Sequence, residues 1–153
     1  MLSDLYTKDV LKAAAGISRT GRLDAAQATS ARLSPVCGSK ITIDLQMEGD
    51  TVSDYAQDIE ACALGQAAAS LLAKKVIGLQ PSEVQQGAGL VHRMLVNGAP
   101  IEGNWQDFNI LAQVHDHKAR HGAVMLALEA TLAACAEITG TDYLGNTALT
   151  RAA

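Results

Sequence analysis

Ile41, Ile43, Leu45 and Met47 alternate with Thr42, Asp44 and Gln46, the period-two pattern of a strand with one buried face. Gly49-Asp50 follows as a tight-turn signal, and Thr51–Ile59 runs back as the partner strand. Tyr55 and Ala56 compete for the inward position there, which a bulge or a three-residue turn would settle. A weaker alternation over Ala28–Ser34 predicts another strand, after a polar connection over residues 17–27 punctuated by Gly21. Elsewhere the apolar period is helical. Leu5, Tyr6, Val10 and Ala13 or Ala14 mark a first helix, with Ser3 as its N-cap and Gly16 as its stop. The Ala-rich run Ala63–Lys75 forms a second, ending near Gly78. Pro81 opens a third, with Val84, Ala88, Val91 and Leu95 as its stripe and Asn97-Gly98 closing it. A short helix is expected around Phe108–Val114, and a long one from about Lys118 to Ile138, stopped by Gly140. This order reads as α+β: a three-stranded antiparallel sheet with about five helices packed on one face. No repeat or linker divides the chain, so residues 1–140 are expected as a single domain. Residues after Tyr143 have little to bury, so 141–153 are expected as a loosely ordered tail.

Composition narrows the chemistry. At 153 residues, with 48% hydrophobic and 18% charged, the chain is long enough and apolar enough to bury a core. Aromatics contribute only 3%, so Ala, Leu, Val, Ile and Met must fill that core. The net charge is −4 and no Lys/Arg cluster is present, which argues against a nucleic-acid partner. The most apolar stretch, around Gly122–Ala136, is short for a bilayer span and carries Glu129, which argues against a membrane. Asp4, Lys8 and Asp9 stand where a signal peptide would be apolar, so a cytoplasmic location is expected. Three cysteines, an odd number, make a poor disulfide framework and read as thiols.

The hairpin gives two of those thiols a reason to meet. Cys37 lies 12 residues before Gly49, and Cys62 lies 12 after Asp50. An antiparallel ladder turning at Gly49-Asp50 carries both to its open end, whichever side each faces. Cys37 stands in the turn Pro35-Val36-Cys37-Gly38, and Cys62 at a predicted helix start. Unpaired N–H groups and the dipole at a helix N-terminus favour thiolate, the form that binds soft metals or attacks a persulfide. The competing reading is ordinary: a free cysteine is most often a small buried hydrophobe.

His115, His117 and His121 cluster downstream, and imidazole substitutes for thiolate on zinc or on a cluster iron. His117 and His121, four apart, would share one helical face, although surface or capping histidines satisfy the same pattern. Cys135 falls among Leu132, Ala133, Ala134 and Ile138 and reads as core. Asp54, Asp58 and Glu60 read as solvated charges on a strand rim. The chain carries no phosphate-cradling Gly-rich loop, nucleophile elbow or HExxH motif, so a self-contained enzyme is not expected.

Three segments carry a resemblance. Leu33-Ser34-Pro35-Val36-Cys37-Gly38-Ser39-Lys40 resembles the first cysteine motif of the IscU/SufU/NifU N-terminal family of iron–sulfur scaffolds. Ala61-Cys62-Ala63-Leu64-Gly65-Gln66-Ala67-Ala68-Ala69-Ser70 is similar to its second, and His117-Lys118-Ala119-Arg120-His121-Gly122-Ala123-Val124-Met125-Leu126 to its third. The resemblance implies a scaffold that holds a [2Fe–2S] cluster or zinc, or accepts sulfur from a cysteine desulfurase. It implies downstream iron–sulfur carrier or client proteins as further partners. Cys37 and Cys62 would be the ligands or sulfur acceptors, His121 a third metal ligand, and Arg120 a basic aid to the anionic cargo. Such scaffolds use three cysteines and an Asp two residues after the first. Here Ser39 stands at the Asp position and Ala123 at the third cysteine, as in a bacterial subgroup written Cys-Gly-Ser-Lys and Arg-His. Those departures leave a second reading open: a zinc-binding or metal-free adaptor in the same pathway.

Overall fold

The central hairpin forms as its alternation requires. A computed structural model of the chain describes residues 4–35 and 38–144. Strand β1 spans Ala28–Leu33, β2 Lys40–Glu48 and β3 Thr51–Glu60, in the antiparallel order β1-β2-β3. Ile41, Ile43 and Leu45 of β2 face Ile59, Gln57 and Tyr55 of β3. A register shift at Gln46/Met47 resolves the competition between Tyr55 and Ala56. Tyr55 goes inward, and its hydroxyl lies 3.1 Å from Thr131 Oγ1. The Gly49-Asp50 turn sits at the hairpin tip, with Gly49 at φ 63°, a left-handed conformation that favours glycine.

Helix α1 spans Lys8–Ala15, α2 Ala63–Ala73, α3 Pro81–Asn97 and α4 His121–Thr139. Gly103–Asp116 and Lys118–Arg120 are 3-10 segments. Helix α4 lies on β1 and β2; α2 and α3 pack against α4, and α1 against α2. The α+β arrangement is therefore as the pattern predicts, a three-stranded antiparallel sheet with its helices. Thr7 caps α1, accepting the Val10 N–H at 3.2 Å. Ser3, the predicted cap, lies outside the described residues. Ala-rich α2 and α4 supply much of the core, including Ala67, Ala69, Ala130 and Ala134. Small side chains let these helices approach closely: a Cβ on Gly65 would stand 3.3 Å from the Ala123 carbonyl oxygen.

Several boundaries differ from the expectation. The expected short helix at Phe108–Val114 is a longer 3-10 segment, and the last α-helix starts at His121 rather than Lys118. With its 3-10 turn, the run Lys118–Thr139 has 22 residues, long and apolar enough for a membrane span although most of its apolar window is buried. Leu144 is also buried, and Gln85 Nε2 of α3 donates to the Tyr143 carbonyl at 3.0 Å.

The polar connection proves to be a strap. Gly21 N–H donates to the Gln57 carbonyl at 2.8 Å, and Gln57 N–H to the Arg19 carbonyl at 2.8 Å, closing the outer edge of β3. The strap then crosses the sheet face opposite α4, where Asp44 is buried beneath it. Asp44 accepts from Arg22 Nε at 2.6 Å, Arg22 Nη2 at 3.1 Å, Leu23 N–H at 3.0 Å and Thr29 Oγ1 at 2.6 Å. Arg22 foremost, with these hydrogen bonds, draws the Asp44 carboxyl down to about 2, against the desolvation that opposes it.

Candidate functional site

The open end of the hairpin places the second cysteine. Lys40 pairs with Glu60, so the residues just before β2 and just after β3 stand side by side. Ser39 Oγ accepts the Cys62 N–H at 3.4 Å, joining the residue two places after the first cysteine to the second. Ser34 and Ser39 close the intervening turn: Ser34 N–H donates to the Ser39 carbonyl at 2.7 Å, and Gly38 N–H to the Ser34 carbonyl at 2.9 Å. Cys37 itself lies outside the described residues. Its neighbours Ser34 and Ser39 are at this end of the ladder, as the turn geometry requires.

Cys62 is half-buried and is the N-cap of α2, with its side chain making no cap hydrogen bond. Its carbonyl instead accepts the Gln66 N–H at 3.0 Å and starts the helix. The first turns of α2 and α4 meet at Gly65 and Ala123. Ala123, the position that the resemblance matches to a third cysteine, is thus buried against Gly65, one helical turn past Cys62, and its side chain is a methyl group with no ligand atom.

His121 is the first residue of α4 and its ring is fixed from one side. Nε2 lies 2.9 Å from the Val114 carbonyl and 3.2 Å from that of His115. Both partners only accept, so Nε2 carries a proton, and in the neutral ring Nδ1 is the nitrogen with the lone pair. A histidine that gives one N–H to a backbone carbonyl is arranged as metal-ligating histidines are. His115 is spent differently, its Nδ1–H donating to the Leu95 carbonyl at 2.7 Å. His117 precedes the 3-10 turn with φ −123° and ψ 75°, so it shares no helical face with His121, contrary to the spacing argument. Arg120 ends that turn and is half-buried at the N-cap of α4. Cys135 is fully buried, and burial pushes its thiol up to about 11, the behaviour of a core residue. Among the described residues, no three His, Cys, Asp or Glu side chains converge as a metal site.

A cavity of about 270 Å³ adjoins this region, lined by Leu33, Ser34, Pro35, His92, His121 and Glu129 among others. Nothing in the spacing pointed to His92 or Glu129, because their strand and helix neighbours meet them only in the folded chain.

A model of the family described as "NifU-like N terminal domain" matches residues 5–138. The chain is 25% identical over 123 residues to the iron–sulfur cluster assembly scaffold protein IscU of Thermotoga maritima, covering 80% of this chain and 87% of that protein. Among solved structures it is similar to a nitrogen-fixing NifU-like protein (N-terminal) from Brucella abortus, with TM-score 0.87 and 34% identity over 92% of this chain and 98% of that one. It also shares its fold with a putative iron–sulfur cluster assembly scaffold protein for the SUF system from Fervidobacterium islandicum, with TM-score 0.78 and 17% identity over 86% of this chain and 96% of that one.

Proposed function

The chain belongs to the family of NifU-like N-terminal domains, and from that premise we propose that it is an iron–sulfur cluster assembly scaffold. In this reading it holds a [2Fe–2S] cluster or zinc, or accepts sulfur from a cysteine desulfurase, and passes its cargo to carrier or client proteins. It works in the cytoplasm as a carrier rather than a catalyst. Its relatives' names support the assembly role. The observation that supports the site most is the Lys40–Glu60 register with the Ser39–Cys62 contact, which sets both cysteine-bearing segments at one end of the sheet.

Cys37 and Cys62 would supply the thiolates, which suit iron and zinc alike. His121 would add Nδ1 as a neutral donor, its tautomer held by the Val114 carbonyl. Arg120, beside it in sequence, would offset the negative charge of cluster or persulfide. Anaerobic reconstitution with iron and sulfide, followed by visible absorbance and iron analysis, tests the assignment. Cys37→Ser or Cys62→Ser is expected to lower iron occupancy by about tenfold or more, since a lost ligand should cost at least what a lost outer partner does. Full occupancy in the Cys37→Ser/Cys62→Ser double variant would sink the site.

Ser39 and Ala123 support a second reading, in which the protein is a zinc-binding or metal-free adaptor of the same pathway. Metal content of freshly purified protein separates the two. Iron with acid-labile sulfide supports the scaffold; zinc or no metal, together with stimulation of desulfurase sulfide release, supports the adaptor.

A further inference from the structure

The cavity beside Ser34 and Pro35 contains a group that neither reading uses. Glu129, on α4, is 2% exposed, and its Oε2 has no hydrogen-bond partner among the described residues. A buried acceptor left without a donor is costly, and native proteins keep few of them. The walls around it are largely apolar, with Pro35, Met125 and Leu126 prominent. Leu33 and Val96, 58% and 50% exposed, also line the cavity and give it an apolar rim open to solvent.

A buried carboxyl at the base, which a cation would ionise, with an apolar shaft and an apolar rim, matches one kind of occupant. We propose that this cavity receives a lysine or arginine side chain of a partner protein, its methylene stem against Leu33, Val96 and Leu126 and its cationic tip at Glu129. Such side chains carry an apolar stem under a charged head, and the pair would be a charge-assisted hydrogen bond in a shielded place. A bare metal ion fits less well, since no three ligating groups converge there among the described residues.

The titratable groups around the cavity come from each neighbouring element. Arg32 on β1 favours the ionised form of Glu129, Lys118 stands exposed on the 3-10 turn, and His92 and His121 come from α3 and α4. Desolvation raises the Glu129 carboxyl to about 7, with Arg32 opposing it weakly, and lowers His92. An entering cation favours the carboxylate, so binding releases a proton when it begins below that value. Affinity therefore rises with pH up to about 7 and levels off above it. Ser34 and Pro35 of the wall precede Cys37 in sequence, so a partner held here would stand at the segment that leads to that thiol.

The test is a methyl-resolved NMR titration of the full chain with n-butylammonium, n-butylguanidinium, n-butanol and N-acetyl-lysine methylamide. Either cation should perturb the Leu33, Val96, Met125 and Leu126 methyls saturably and bind about tenfold more tightly than butanol. The blocked lysine should bind at least as well as butylammonium, because the cavity mouth is open to its backbone. Glu129→Gln, which keeps the shape and removes the charge, should erase the preference over butanol. Equal binding of butanol and butylammonium, or no response to any probe, would overturn the proposal. So would stronger displacement of the same methyls by zinc, or rejection of the blocked lysine while butylammonium binds. Glu129→Gln keeps both cysteines, so its cluster reconstitution stands as a separate result and either reading can fail alone.

Discussion

Asp44→Ala is expected to destabilise the fold by about 2–4 kcal/mol, the range for stripping a buried, multiply bonded carboxylate from its donors. The loss follows from what Asp44 joins. One carboxylate ties Arg22 and Leu23 of the strap to Thr29 of β1 across the central strand. Without it, the Leu23 N–H and the Thr29 hydroxyl lose their acceptor, while Arg22, exposed along its side chain, returns to water. Urea denaturation measures the effect, and Asp44→Asn should recover part of it by keeping an acceptor oxygen. A cost below 0.5 kcal/mol would mean the strap holds without this anchor. The same group gives the wild type an acid limb. Its folded-state carboxyl lies near 2, below the ordinary 3.8, so its stabilisation is present above about pH 4 and is lost as pH falls through 2. Solvent reaches the Arg22 side of the pair, so this pH-linked share is roughly 1–2 kcal/mol.

The second large effect is at Gly87 in α3. A Cβ there would stand 2.2 Å from Trp105 Cε2, far inside contact distance. The indole has little room to retreat. It packs against Phe108 with ring centroids 5.7 Å apart, and Lys75 Nζ lies 5.2 Å over it while pairing with Asp107 at 2.5 Å. Gly87→Ala gains about 1 kcal/mol of helix propensity but meets an overpacking cost of about 1–3 kcal/mol, so destabilisation is the net expectation. Gly87→Val should be worse. Two positions along, Gly89 faces open space, and Gly89→Ala should stabilise by up to about 1 kcal/mol. Opposite signs in thermal melts of these two alanine variants are the expected result. Equal signs would show that the indole yields freely.

Neither Asp44 nor Gly87 is conspicuous along the chain. Asp44 occupies an ordinary outward position of an alternating strand, and its burial depends on a strap whose path has no periodic signature. Gly87 reads as a weak point in a helix until Trp105 is brought against it from another segment. What local pattern does carry is the hairpin: the alternation through Leu45 and the Gly49-Asp50 turn lead directly to the register that sets Ser39 beside Cys62. The carboxylate-free, two-cysteine motif set is equally plain, being written in consecutive residues. His121 shares no helical face with His117, so the spacing argument for it fails. Its partner His117 leaves the helix, and the carbonyls of Val114 and His115 orient the ring instead. The Glu129 cavity was hidden because strand, loop and two helices build it jointly.

The strap decides which edge of the sheet another strand could join. A sheet of three strands has two flanks on which a stray strand could add, and Arg19–Gly21 occupies the one along β3. Among the described residues, the flank that stays available is that of β1, which is only six residues long and carries Arg32 near its end. Shortness and charge are the usual deterrents to edge-to-edge growth. Among the described residues, sheet extension would therefore begin on β1, the strand leading to the Cys37 segment, and under the proposed function cargo-handling and self-association would compete for the same stretch of chain.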